Sequence, residues 1–254
     1  MRSLGSVLAL LRRKAALLLA MPLLCAAPPA LAQTANLPPP FMTGAVEAWA
    51  GTDLTRHSWS SYTGLTWSPL GKLAEEGVRL RLAGGYGEYR YATEISRRNR
   101  SIYGTATFAD LLAGYQTNWG ALTLKAFVGA TFDSHVLAPF DPGNSVNGAA
   151  TGAKAVVESW INLTPSAWMQ LDGAIASAHH AYNSRLRLGY RVTPTLSLGL
   201  EGGGFGNAAS DSGRGGGFAR YEWLGGEVAM SGGVSGDVAA PRNPYATIVY
   251  LTRF

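Results

Sequence analysis

The sequence predicts an all-β fold: an outer-membrane antiparallel β-barrel of about 12 strands, forming one domain behind a cleaved signal peptide. Three observations predict it. Apolar and polar residues alternate with period two in segment after segment. Tight turns alternate with longer, more polar loops, as in barrels whose two ends face different compartments. No apolar run of 18 residues follows the leader. That excludes spanning helices and leaves spanning strands.

The leader comes first. Arg2, Arg12, Arg13 and Lys14 precede an apolar run from about Ala15 that ends on Ala30-Leu31-Ala32, a small-x-small cleavage pattern. Residues 1–32 are therefore expected to be a signal peptide. Prolines at 22, 28 and 29 interrupt the run, which argues against a membrane anchor. Cys25 leaves with this segment, so no disulfide can staple the mature chain. Of 21 Lys and Arg, less these four, 17 remain against 16 Asp and Glu. That near-neutral balance gives no reason to expect a nucleic-acid partner. The destination implied is the outer membrane of a Gram-negative bacterium.

Residues 33–40, "QTANLPPP", read as a Pro-rich lead-in to a barrel over 41–254. The alternating segments fall near 41–52, 57–68, 77–91, 101–117, 121–132, 151–163, 166–178, 182–192, 195–206, 214–223, 227–236 and 245–254. Each reaches the ~9–11 residues that a tilted spanning strand requires. "TNWG", "LTPS", "VTPT" and "WLGG" are the tight connections. "TEISRRNR", residues 133–148, "HHAYN", "NAASDSG" and "DVAAPRN" are the long ones. "SPLGKLAEEG" (68–77) is the exception, a longer connection at the tight-turn end.

The two faces of each segment differ. Leu186, Leu188 and Tyr190 oppose Arg185, Arg187 and Arg191; Val78, Leu80 and Leu82 oppose Arg79 and Arg81. Aromatics are expected in two interfacial bands. Trp67, Trp119, Trp160, Trp168, Trp223 and Phe254 form one at the tight-turn end. Tyr86, Tyr89, Phe132, Tyr182 and Phe205 form the other at the loop end. The terminal strand carries Ile248, Tyr250 and Phe254 on one face, a pattern that resembles the membrane-insertion signal of outer-membrane barrels.

Assigning the apolar face to lipid turns Arg79, Arg81, Lys125, Lys154, Arg185, Arg187, Arg191, Arg220 and Arg253 inward. Asp110, Glu158, Asp172, Glu201, Glu222 and Glu227 join them. Mixed signs at this density favour an ion-pair lattice that braces a narrow barrel, because an unpaired enclosed charge is costly. A polar path or binding site is the alternative.

Chemistry is sparsely signalled. Ser177 and His179 have the two-residue spacing of outer-membrane lipases and would share an outward face with Ile175. An outer-membrane lipid hydrolase is thus one alternative function, and a small-solute channel is another. No third residue follows to orient the His, so no catalytic residue is assigned. "GGYGEY" and "GGGFGN" lack the following helix that a phosphate loop needs. The His and acidic residues show no metal-ligand spacing, so neither a metal nor a cofactor is expected.

Several long stretches carry a resemblance: "HSWSSYTGLTWSPLG", "LRLAGGYGEYRY", "FADLLAGYQTNWGALTLKAFVGA", "PFDPGN", "SRLRLGYRVTPTLSLGLE", "FARYEWLGGEVAMSGGVSGD" and "PYATIVYLTRF". Together they resemble the cellulose biosynthesis protein BcsS family, from about residue 44 to the end. The resemblance implies association with bacterial cellulose or exopolysaccharide synthesis and export, and it transfers no catalytic residues. Expected partners are outer-membrane lipid, the barrel assembly machinery, and cellulose or cellulose-secretion proteins. In the long loop, Phe140 could stack on a sugar face, while Asp141 and Asn144 could bond its hydroxyls.

Overall fold

The structure, a computed structural model, describes residues 44–95, 98–236 and 243–254. The expected signal peptide and lead-in lie outside the described residues. The chain forms β1 (Val46–Thr55), β2 (Ser58–Trp67), β3 (Gly77–Ile95), β4 (Arg98–Trp119), β5 (Leu122–Ala138) and β6 (Gly148–Asn162). It continues as β7 (Ala167–Ala176), β8 (Tyr182–Arg191), β9 (Leu196–Gly206), β10 (Asp211–Trp223), β11 (Gly226–Gly236) and β12 (Asn243–Arg253). One 3-10 turn, Ala178–His180, precedes β8.

Each strand pairs antiparallel with its sequence neighbours, and β12 pairs with β1 to close the barrel. At the seam Glu47 faces Arg253 and Thr55 faces Tyr245. Phe254 extends the seam: its amide donates to Val46 O at 2.9 Å, and its carbonyl accepts from the Val46 amide at 2.9 Å. Closure satisfies the backbone N–H and C=O groups that an open edge would leave bare in hydrocarbon.

The tight turns follow from their residues. Gly120 (φ 58°) and Gly225 (φ 83°) occupy left-handed positions between β4 and β5 and between β10 and β11. The two Thr-Pro turns use a shared device. Thr164 Oγ1 accepts from the Ala167 amide at 2.9 Å, and Thr193 Oγ1 accepts from the Leu196 amide at 3.0 Å.

The rim at the opposite end is uneven. β3 and β4 run 19 and 22 residues, whereas β1 and β2 run 10 each. "TEISRRNR", expected as a loop, mostly continues the β3–β4 hairpin, with Glu94 facing Asn99. "DSHVLA" likewise continues β5, which shortens the expected loop 133–148 to 139–147. Cross-strand pairing past the membrane boundary outweighed the local polarity from which loops were inferred.

The faces sort as the alternation requires. Leu82, Leu111, Val128 and Leu200 are exposed on the outer wall, while Arg79, Arg81, Phe127 and Glu201 are buried within. The aromatic bands hold in part. Trp67 and Trp119 face out. Trp160 and Trp168 instead stack together on the lumenal side, their centroids 4.2 Å apart, and Trp168 is 1% exposed. Tyr89 and Phe205 also take lumenal parity: Tyr89 bonds His135, and Phe205 lies 6.0 Å from the Arg214 guanidinium. Proximity to a strand end does not specify which face a ring occupies: Trp160, Trp168 and Tyr89 pack inside the barrel, while Phe205 stays exposed at the end of β9.

Inward glycines accommodate this packing. A Cβ on Gly129 would lie 2.1 Å from Leu111 O, whereas one on the outward Gly215 would meet only Glu201 O at 3.8 Å. Gly129→Ala should therefore destabilise the barrel by ~1–3 kcal/mol through overpacking. Gly215→Ala should be neutral or slightly stabilising. Urea unfolding in lipid vesicles, followed by Trp fluorescence, separates the two.

Candidate functional site

The lumen is the candidate site, and it is lined by charge. Arg81 of β3 reaches across to Glu158 of β6 in a bidentate pair, with Nη2 to Oε2 at 3.0 Å. These strands are not neighbours, so the pair ties separated parts of the wall. Arg214 of β10 pairs with Asp53 of β1 in the same way, and Thr247 donates to that carboxylate at 2.8 Å. Lys154 meets Asp110 at 2.6 Å, and Thr131 donates to Asp110 at 2.7 Å.

Other pairs join adjacent strands. Arg185 meets Asp172 at 3.0 Å, and Arg187 Nε donates to Glu201 Oε2 at 2.8 Å. Tyr245 OH donates to the second Glu201 oxygen at 2.8 Å. Near the tight-turn end the charges form a chain. Arg220 lies between Glu222, at 3.0 Å, and Glu227. Arg253 contacts Glu227 at 3.5 Å and Glu47 at 2.9 Å, and Lys125 approaches Glu47 at 3.9 Å. Because Glu222 and Glu227 are cross-strand partners, Arg220 also relieves their repulsion.

Aromatic faces complete the lining. The Arg220 guanidinium lies 4.6 Å from the Trp160 ring centroid, Arg187 lies 5.1 Å from Phe218, and Arg81 lies 3.9 Å from Phe127. Guanidinium planes suit such stacking while their edges still bond carboxylates.

Two expected members of the lattice have other partners. Arg79, 1% exposed, bonds Ser68 Oγ at 2.8 Å and the carbonyls of Lys72, Leu73 and Glu75. It holds the 68–76 connection, whose Leu73 is buried, against the tight-turn mouth. Gln116 donates to Leu73 O at 3.0 Å and Asn118 to Ala74 O at 3.1 Å. Glu76 in this connection accepts from the Asn118 amide and the Thr117 hydroxyl, which hold its carboxyl below the ordinary range. Arg191 bonds Pro165 O at 3.0 Å and Asn162 Oδ1 at 2.8 Å in the β6–β7 turn. Both arginines lie where the wall ends, and turn carbonyls are nearer there than carboxylates.

Glu47, Asp53 and Arg214 were missed as lattice members. Asp53 lies one residue beyond the 41–52 segment, so an imprecise strand end concealed it, whereas Glu47 and Arg214 fall inside the 41–52 and 214–223 segments. Extending β1 by one residue would have found Asp53, and reading the alternation through every residue of the two segments would have found Glu47 and Arg214.

The outer mouth is covered on its tall side. Tyr91 OH donates to Asp141 Oδ2 and accepts from Asn144 Nδ2, both at 2.8 Å. Asp141 also accepts from the Gly143 amide, and Asn144 from the Val146 amide. Asp141 is 5% exposed, and Val146, Ile102 and Leu137 are buried with it. The two polar residues expected on the loop surface thus fasten loop 139–147 inward, and Phe140 is the one presented.

Ser177 and His179 do not share an outward face. β7 ends at Ala176, and His179 takes a left-handed φ of 48°, so the alternation stops before it. Its ring packs edge-on against His135 at 5.3 Å, and Ser177 Oγ accepts from the Ala153 amide. The catalytic geometry that would favour a hydrolase is not assembled by these contacts.

A closed twelve-stranded barrel with an uncharged outer band and a charged, packed interior is an outer-membrane β-barrel. Solved barrels share the fold. The translocator domain of autotransporter NalP from Neisseria meningitidis is 12% identical, with 98% of each chain covered and a TM-score of 0.51. The beta domain of the Bordetella autotransporter Brka is 14% identical, covering 83% of this chain and 100% of that one, also at 0.51. An outer membrane channel from Pseudomonas putida F1 is 13% identical, covering 84% and 96%, again at 0.51. Identities this low show the fold alone. A comparison with curated protein sequences finds no match. The chain belongs to the cellulose biosynthesis protein BcsS family, whose profile matches residues 48–254.

Replacing Glu201 by Leu should cost ~3–5 kcal/mol, because Arg187 would remain enclosed without its carboxylate. Arg187→Met combined with Glu201→Leu should recover most of that loss. Equilibrium unfolding of the four proteins of this cycle in lipid vesicles gives the coupling.

Proposed function

We propose that this protein is a non-enzymatic accessory barrel that supports cellulose or related exopolysaccharide assembly or export at the bacterial surface. Its family membership supplies the cellulose context. The observation that carries the reading is the set of ion pairs joining separated strands, Arg81 to Glu158 and Arg214 to Asp53. A glucan threading the lumen would have to break them, and a wide conduit would segregate its charges instead. The protein therefore acts at its outer rim, as a support or docking element for the polymer or for cellulose-secretion proteins.

The route to that place follows from the sequence. A cleaved signal delivers the chain across the inner membrane of a Gram-negative cell. The barrel assembly machinery reads the outward row of Ile248 and Tyr250 on β12 with Phe254 just after it, and outer-membrane lipid surrounds the finished wall. At the rim the exposed Phe140 ring, carried on the fastened loop 139–147, offers a face for stacking on glucose units.

Planar-bilayer recording of the purified barrel should give little or no conductance; a large, stable open pore would contradict the braced lumen. Replacing residues 139–147 with a Gly-Ser turn should lower surface glucan staining in a cellulose-producing host. Unchanged output would remove the rim from the proposal. Ser177→Ala should leave lipid turnover by the purified protein at background, as in the wild type; a Ser177-dependent hydrolysis would restore the enzyme reading.

A further inference from the structure

Among the described strands, Arg90 is the sole Lys or Arg on the outer face. Every other strand cation of the spanning wall has lumenal parity, and Arg98 and Arg100 take the same parity above it. The position of Arg90 is distinctive. From Val78 to Tyr86 the outward residues of β3 are Val78, Leu80, Leu82, Gly84 and Tyr86, without a charge. That stretch covers roughly 20 Å of height at ~3.3 Å per residue and the usual barrel tilt. Glu88 and Arg90 follow directly, where a headgroup layer begins.

The β1–β2 hairpin ends at this level, beside the taller β3–β4 hairpin, and leaves an open cleft of about 440 Å³. Arg56, His57 and Arg90 line it, with Trp59, Glu88 and Tyr103. The cleft is net cationic because its two arginines, Arg56 and Arg90, outnumber its one carboxylate, Glu88. Its two oxygens accept from Trp59 Nε1 at 3.2 Å and from Tyr86 OH at 2.9 Å. Among the described residues the Arg90 side chain spends only its Nε, donating to His57 Nδ1 at 3.3 Å, which leaves its terminal fork available. Arg56, exposed on the hairpin, forms no ion pair among the described residues. Beside and beneath the cations the wall is apolar and exposed: Tyr103 is the cross-strand partner of Arg90, and Leu54, Trp59 and Tyr86 lie nearer the membrane.

We propose that this cleft binds the phosphorylated headgroup of an outer-leaflet glycolipid. The arrangement matches an amphiphile: two guanidinium groups for a phosphate, aromatic edges for the sugar ring below it, and a smooth wall for the acyl chains. A planar guanidinium fork bonds phosphate bidentately, and more strongly where headgroups exclude water. A neutral glucan would gain nothing from the paired arginines, and an acidic peptide would gain nothing from the apolar wall beneath them. The site is independent of the cellulose reading, since it requires only a lipid-embedded barrel.

The test uses the full mature barrel in detergent, titrated with bis-phosphorylated lipid A and with its dephosphorylated form, and read by native mass spectrometry. The wild type should retain the phosphorylated lipid. Arg56→Gln combined with Arg90→Gln should weaken retention roughly tenfold or more, as the loss of two interfacial cations implies. Arg90→Lys, which keeps the charge and loses the fork, should fall between them. Dephosphorylated lipid should bind both proteins weakly and equally. Inorganic phosphate at millimolar concentration should neither bind nor displace the lipid. Equal retention by wild type and double variant would overturn the proposal, as would equal affinity for the dephosphorylated lipid. Binding of inorganic phosphate as tight as that of the lipid would assign the cleft to the free ion instead. Both arginines are exposed on the rim, so unchanged heat-modifiable migration on gels is expected and verifies that the variants fold.

Discussion

Everything in this molecule depends on one constraint: inside hydrocarbon, each backbone N–H and C=O must find its partner within the chain. A sheet with free edges fails that condition, and a sheet closed on itself meets it. The β1–β12 seam is therefore the contact from which the other features follow. It fixes an even number of antiparallel strands and places the first and last strands side by side. It also divides every side chain between lipid and lumen by parity alone.

That division loads the interior heavily. The inward charges are of both signs, and most of the paired groups are buried or half-buried within the barrel. Pairing them offsets the desolvation that each would otherwise suffer alone. Pairs between separated strands, such as Arg81 with Glu158, then brace the cross-section. Arginine dominates because its plane can rest on Phe127, Phe218 or Trp160 while its edge bonds a carboxylate. The same packing ties strands that are not neighbours to one another across the lumen.

The two ends are built differently. At the tight-turn end, turns of two or four residues and the Arg79-anchored 68–76 connection finish the wall compactly. At the other end, β3 to β5 rise past the membrane and carry the fastened loop 139–147. The low β1–β2 hairpin beside them creates the step in which Arg56 and Arg90 sit. A uniform rim would have had no such cleft.

The fold class and most of the inward charges were legible in the sequence, because period-two alternation is a local property and parity propagates along a strand without tertiary information. Residues near strand ends were not legible. Asp53 was lost to a segment boundary, and His179 left the alternation once the backbone turned left-handed. Which charges pair across the lumen, and that Trp160 and Trp168 stack inside it, depend on the curvature and stagger of the closed sheet. Alternation along the chain thus determined which way each strand residue faces. Only closure in three dimensions decided what it meets there, because the distance across a barrel is set by all twelve strands together.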